Sequence, residues 1–461
     1  PDDGNLVIAL RRFAEFCRQQ GRIDDAVRLH TEVLASRQRR YGEQHELTLL
    51  ACERLAGLYR ETHDFSAAAP LYRRISAIQK ALYGDHDRRA LETDLSLVYV
   101  LQRDGQFLAA DQAAEELYSR VIADYGESSA DALRVRMLQA FNAKRGRDWR
   151  RCEEQFTSAW RLSSEIHGPE HRETLRARNQ IANAIFNQGR TSEAEQICRE
   201  VCERRERTFG VEDIDVAYSQ SLLGEILCAS DRLGEASDCL QKSFSTHCRH
   251  FGYGSPDTQP IVAQLMGIAH THESRGAWSE AAAVYLGLVD LVAEQTADDP
   301  HRANRLAHAA ALLEQDQDWP QAAAIRLRES DELRDDSSAI WLMRRHKAVV
   351  AMIHAGNYDE AERVLHECAE GWEMHHPHDV RKHFAQGLLG EVLVAQGRFS
   401  DAEPILITSQ QFANEHRHEF PKLYRRSLER LVELYSMTGQ AVSAAHWQTV
   451  LDELDVAATL P

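Results

Sequence analysis

Two markers recur along this chain with the same step. A turn of the form Gly-x-aromatic-x-x-Ala begins at Gly21, His63, Gly105, Arg147, Gly189 and Asp231, each 42 residues after the one before. A second marker, an aromatic or histidine followed by glycine, keeps that step of 42 at Tyr41-Gly42, Tyr83-Gly84, Tyr125-Gly126, His167-Gly168, Phe209-Gly210 and Phe251-Gly252. Two interleaved ladders in register define a repeated structural unit. A unit this short cannot bury its apolar face alone, so the chain is restricted to folds in which neighbouring units stack. The turn continues at Gly276, Gln317, Gly356, Gly397 and Gly439, with steps of 45, 41, 39, 41 and 42. The second half is therefore the less regular one, although Leu222-Leu223-Gly224-Glu225 and Leu388-Leu389-Gly390-Glu391 still share their wording.

The letters of the turn have physical reasons. Glycine closes a helix in the left-handed conformation at the least steric cost. A large residue two positions on plugs the gap between two helices, and the small residue that follows lets the second helix approach closely. Apolar residues return at helical spacing between turns, as at Leu55, Leu58 and Tyr59 or Ile181, Ala184 and Ile185. The expected fold is all-α: an α-solenoid, wound as a right-handed superhelix, of about eleven helix-turn-helix repeats. Residues 1–252 hold six regular repeats and residues 253–461 less regular ones ending in a capping repeat, all within one array. The period slips at Gln295–His301 and Glu329–Ser338, read as longer loops. Replacing Phe107 with Ala is expected to cost ~3–5 kcal/mol if its ring is fully buried.

Composition narrows the class of partner. The 461 residues carry a formal net charge of -18, which argues against bulk binding to nucleic acid or an anionic membrane. No window approaches the length of a membrane-spanning apolar helix, so no membrane partner is expected. The nine cysteines, odd in number and mostly set in apolar helical stretches, suit buried free thiols in a reducing, cytoplasmic setting. The start, Pro1-Asp2-Asp3-Gly4, lacks an initiating methionine and reads as trimmed or cut from something longer.

At these markers the chain resembles tetratricopeptide repeats of the 42-residue, kinesin-light-chain-like type found in bacterial multidomain signalling proteins. The residues that carry the likeness are Tyr41-Gly42 with His45, and His167-Gly168-Pro169-Glu170-His171 followed by Thr174-Leu175, together with the turns above. Gly387 to Leu451 also resembles the end of repeat arrays attached to bacterial serine/threonine kinases. In kinesin light chains an asparagine pair on the first helix of each repeat helps to hold an extended peptide. Here only Asn179 matches, with Gln180 in the second place.

The resemblance implies that the first helix of each repeat lines a groove, with groove positions thirteen, ten, six, three and two residues before the turn. From this rule come Tyr99, Gln102 and Arg103 in repeat three and Arg134, Phe141, Lys144 and Arg145 in repeat four. Repeat five supplies Arg176, Asn179, Asn183 and Phe186. Repeats four and five place four basic residues and no acidic one there. A positive groove with an aromatic floor suits an acidic, extended peptide with an apolar anchor.

Phosphate-loop, nucleophile-elbow, dinucleotide-fold and His-Glu-x-x-His motifs are all missing from the sequence, so no catalytic residue, metal or cofactor is assigned and the chain is not read as an enzyme. His375-His376-Pro377-His378 with His383 is the best metal candidate, but a between-repeat loop role is preferred. Cys198 and Cys202 read as two buried thiols. The leading expectation is an interaction module or scaffold. The alternative is the regulatory or sensing part of a larger enzyme, such as a kinase, a nucleotide-driven switch or a protease.

Overall fold

The computed structural model describes residues 4–296, 299–332 and 339–459. Among the described residues there are 22 helices and no strand. The chain divides into two compact units, Pro1–Cys239 and Leu240–Pro461, whose boundary falls within α12 (Leu233–Phe251).

In the first unit the first helices of successive repeats are α1 (Gly4–Gln19), α3 (Glu46–Glu61), α5 (Arg88–Arg103), α7 (Ala130–Arg145), α9 (Arg172–Asn187) and α11 (Ile214–Ala229). The second helices are α2 (Ile23–Tyr41), α4 (Phe65–Tyr83), α6 (Phe107–Tyr125), α8 (Trp149–His167) and α10 (Thr191–Phe209). The second unit continues with α13 (Gln259–Ser274), α14 (Trp278–Ala293), α15 (Arg302–Gln315), α16 (Trp319–Asp331) and α17 (Ala339–His354). It ends with α18 (Tyr358–His375), α19 (Lys382–Ala395), α20 (Phe399–Glu415), α21 (Pro421–Met437) and α22 (Ala441–Thr459). Of the two stretches where the period slips, Glu329 to Asp331 is still helix, while residues 297–298 and 333–338 lie outside the described residues.

Every residue of the turn ladder has a positive φ, from Gly21 at 71° to Gly439 at 70°, including the four that are not glycine: His63, Arg147, Asp231 and Gln317, at 58–63°. Each closes its helix with the same pair of bonds. At the first turn Gly21 N–H donates to Arg18 O (3.0 Å) and Arg22 N–H to Cys17 O (2.8 Å), and at the eighth Gln317 N–H donates to Glu314 O (3.3 Å) and Asp318 N–H to Leu313 O (2.9 Å).

The second ladder is stricter. Gly42, Gly84, Gly126, Gly168 and Gly210 combine φ of 81–95° with ψ of 156–177°, a region open to glycine alone. This difference explains why the first ladder drifts to His, Arg, Asp and Gln while the second never leaves glycine. Stability should follow. Gln317→Gly is expected to stabilise by ~0.5–1 kcal/mol by relieving the left-handed strain. Gly168→Ala, with open space around its added methyl, should still destabilise by ~1–3 kcal/mol through backbone strain alone. Urea denaturation of the two variants checks both signs.

Histidine and threonine complete the second ladder. His45 Nδ1 accepts from Leu47 N–H (3.1 Å) and His171 Nδ1 from Glu173 N–H (3.3 Å), so each imidazole caps the next helix. Their rings stack on the residue before the glycine, His45 on Tyr41 at 4.7 Å and His171 on His167 at 4.4 Å. Thr48 and Thr174 hydroxyls donate to Gly42 O (2.8 Å) and Gly168 O (2.9 Å).

Burial separates the two residues of the turn. The turn aromatics are mostly half-buried, whereas Ala26, Ala68, Ala110, Cys152, Ala194 and Ala236 are fully buried at 0% exposure. The small residue therefore sits where the two helices touch, and the large one covers the seam. Phe107 lies against Gly146 of the following repeat, and Asn142 donates to its carbonyl (2.9 Å). Its ring is only partly buried, so Phe107→Ala should cost ~2 kcal/mol and not the ~3–5 kcal/mol of a fully enclosed ring.

Within each unit, first helices of adjacent repeats touch one another, as α5 with α7, α9 with α11, α17 with α19 and α19 with α21. They therefore crowd onto the inner face of the stack.

Candidate functional site

The inner face of repeats two to five carries two adjoining cavities. The first, of about 520 Å³, is lined by Tyr99 of α5, by Arg134, Met137 and Phe141 of α7 and by Arg176 of α9. The second, of about 670 Å³, is lined by Phe141, Lys144, Arg145, Arg147, Trp149 and Asn187. Phe141 belongs to both. Its ring is held edge-on by the fully buried Phe156 of α8 (5.1 Å, 88°), and Tyr99 is held edge-on by Phe65 (6.4 Å, 85°). The core thus fixes the aromatic floor.

The expected groove residues divide into three groups. Tyr99, Arg134, Phe141, Lys144, Arg145 and Arg176 line the two cavities, and Arg103 lies over the Phe65 ring at 5.2 Å. Gln102 and Asn179 are corrections. Gln102 is 3% exposed and donates to Leu138 O (2.7 Å), and Asn179 is 5% exposed with its Oδ1 at 3.9 Å from the Cys198 thiol. Gln102 ties repeat three to repeat four and Asn179 ties the two helices of repeat five, so both are spent inside the stack. Asn183 and Phe186 are partly exposed on α9 but line neither cavity.

The cations also differ in what is left of their charge. Arg134 is neutralised: both of its terminal nitrogens reach Glu92 at 2.8 Å, and Asp131 lies at 3.2 Å. Arg176 meets Glu173 only at 3.8 Å and lies over the Phe141 ring at 5.4 Å. Lys144 donates to the neutral Gln180 amide oxygen (2.5 Å), and desolvation holds its ammonium below the usual lysine range. Arg145 is held below the usual arginine range by desolvation first and then by the like charge of Arg103. A carboxylate placed here would relieve both Lys144 and Arg145. Glu225 of α11 approaches from repeat six; burial raises its carboxyl, and the attraction of Lys144 partly offsets this. Glu225 lies six residues before the turn at Asp231, so extending the same offset by one repeat finds it. Trp149, assigned only a plugging role, also lines the second cavity.

The histidine and cysteine candidates are used in packing. His383 stacks on Phe412 at 3.8 Å and His376 meets Trp372 edge-on at 5.6 Å. Among the described residues no three His, Cys, Asp or Glu side chains gather as a metal site would require. Seven of the nine cysteines are buried and the other two half-buried, and burial pushes Cys152 and Cys368 up to about 12.

Residues 5–81, 174–215 and 216–257 match family models described as tetratricopeptide repeat. The chain carries tetratricopeptide repeats. The unmatched repeats between and beyond these segments keep the same positive-φ turns, at Gly105 and Arg147 and again from Gly276 to Gly439. Among solved structures the chain is similar to nearly identical TPR-like repeats from a Podosopora anserina kinesin light chain (19% identity, 44% of this chain and 96% of that one, TM-score 0.38). It is also similar to BtubC (BKLC) from P. vanneervenii (16%, 54% and 92%, TM-score 0.40) and to the apo form of RapI (10%, 85% and 99%, TM-score 0.41). No curated protein matches the sequence. No helix among the described residues is long and apolar enough to cross a membrane.

Proposed function

We propose that this protein-interaction module uses the inner face of repeats three to five to bind an acidic, extended peptide segment of a partner protein. The observation that carries the reading is the group of Arg103, Lys144 and Arg145, which have no acidic hydrogen-bond partner and stand beside an aromatic floor held rigid from behind. Tetratricopeptide arrays present such inner surfaces to partners, and an acidic ligand would restore the neutrality that these groups lack. The cysteines, seven of nine buried within the helical stack, support a cytoplasmic setting.

Fluorescent dodecapeptides rich in Asp and Glu, each with one Trp or Leu anchor, test the site. Reversing Arg145 and Arg176 together to Glu should weaken binding about tenfold or more at low salt, mainly through slower association, with the difference shrinking as salt rises. Phe141→Ala should act mainly on release and cost ~2 kcal/mol. Basic dodecapeptides that bind equally well, or acidic ones indifferent to both changes, would overturn the assignment.

A further inference from the structure

The second unit has a groove of different chemistry on its own inner face. A cavity of about 620 Å³ spans α17, α19 and α21. Its floor is apolar, formed by Met343 and Val350 of α17, Phe384 and Leu388 of α19 and Leu423 of α21. Met343, Val350 and Phe384 remain 37–41% exposed, a large apolar surface to leave in water.

Every polar side chain of the wall is a histidine, lysine or arginine, with no carboxylate, amide or hydroxyl group among them. Three are already engaged: Arg381 with Asp379 (2.9 Å), and Arg426 and Arg430 with Glu391 (3.1 and 2.8 Å). Lys347 of α17 and Lys422 of α21 line the cavity on either side of α19 as exposed ammonium groups. His346 adds a neutral donor. Its Nε2 accepts from the Trp372 indole N–H (3.2 Å), so the ring hydrogen belongs to Nδ1, and burial holds the imidazole neutral, down to about 4.

A wall that only donates selects a ligand that only accepts. An extended peptide would bring its own backbone N–H groups against this wall and leave them unpaired. A helix satisfies its backbone internally and presents side chains alone. The two lysines stand on the outer helices of the span, which fits several carboxylates spread along a segment better than the one head group of a fatty acyl anion. We propose that this groove docks an amphipathic acidic helix of a partner protein, apolar face on the Met343–Val350–Phe384 floor and carboxylates toward Lys347 and Lys422. This is a second site, independent of the peptide groove in the first unit.

A display library of helix-patterned 14-residue peptides tests it, with apolar residues at i, i+3, i+4 and i+7 and Glu or Asp between, selected on the whole chain against a pool of the same composition with the pattern broken. The patterned pool should be enriched, and winners should lose at least about tenfold in affinity on Lys347→Glu with Lys422→Glu, an effect that shrinks at high salt. Met343→Asp with Val350→Asp should abolish binding, while Arg145→Glu with Arg176→Glu should leave it unchanged. The proposal is overturned if neither pool is enriched, if the broken pattern does as well, if winners ignore the lysine reversals, or if dodecanoate binds this groove while the helices do not.

Discussion

Glu329→Ala is expected to destabilise the second unit by ~3 kcal/mol, because it strips a buried carboxylate from between arginines. Glu329 is 1% exposed on α16 and pairs with Arg326 of the same helix (2.9 Å) and with Arg344 of α17. Arg326 is itself 6% exposed and reaches on to Glu314 of α15 (2.8 Å). The network thus ties the two helices of one repeat to the first helix of the next. Removing its central anion leaves two guanidinium groups facing each other in a dry seam. The loss stays near the lower end of the ~3–5 kcal/mol seen for broken buried pairs, since Arg326 keeps Glu314 and Arg344 is 24% exposed. Glu329→Gln keeps the shape and one acceptor, so it should cost less. Urea denaturation ranks the three proteins, and hydrogen exchange should show α15 to α17 loosening together. A wild-type midpoint for Glu329→Ala would mean that water already compensates these charges.

The ladders were legible because each marker answers a backbone constraint that no tertiary contact can waive. A left-handed turn falls at all eleven predicted positions. The groove was legible only in part. An offset rule counts positions along a helix, but whether an edge position faces the groove or the next repeat depends on the side chain and its neighbour. Gln102 and Lys144 share an offset, yet Gln102 folds back onto Leu138 O while Lys144 lines the groove. The neutralisation of Arg134 could have been read. Glu92 and Arg134 share an offset exactly one repeat apart, so stacking sets them side by side, and 42-residue spacing between opposite charges on a first helix signals an ion pair. The groove of the second unit was legible in part by the same rule: Met343, His346 and Val350 stand thirteen, ten and six residues before the turn at Gly356, and Phe384 and Arg426 thirteen before those at Gly397 and Gly439, whereas Lys347, Lys422 and Leu423 fall at none of its offsets.

Phe156→Ala should separate stability from binding at the proposed peptide site. Phe156 is fully buried at 0% exposure, and truncating such a ring costs ~3–5 kcal/mol through lost transfer and the cavity left behind. The ring also supports Phe141 edge-on at 5.1 Å, an arrangement that adds ~0.5–1.5 kcal/mol beyond burial. With the support gone, Phe141 has space to drop out of the wall that both cavities share. Peptide affinity should therefore fall even at a temperature where the variant is fully folded. Phe156→Leu retains most of the volume and should cost about 1.5 kcal/mol or less, with an intermediate effect on binding. Phe141→Ala gives the complementary pattern: a comparable loss of peptide affinity with a smaller loss of stability, since its own ring is only partly buried. Urea midpoints and titrations with one acidic dodecapeptide, measured on all three variants, fix the order. A destabilised Phe156→Ala that binds the peptide as tightly as wild type would show that the floor is held from the groove side, by Arg176 over the Phe141 ring, and not from the core.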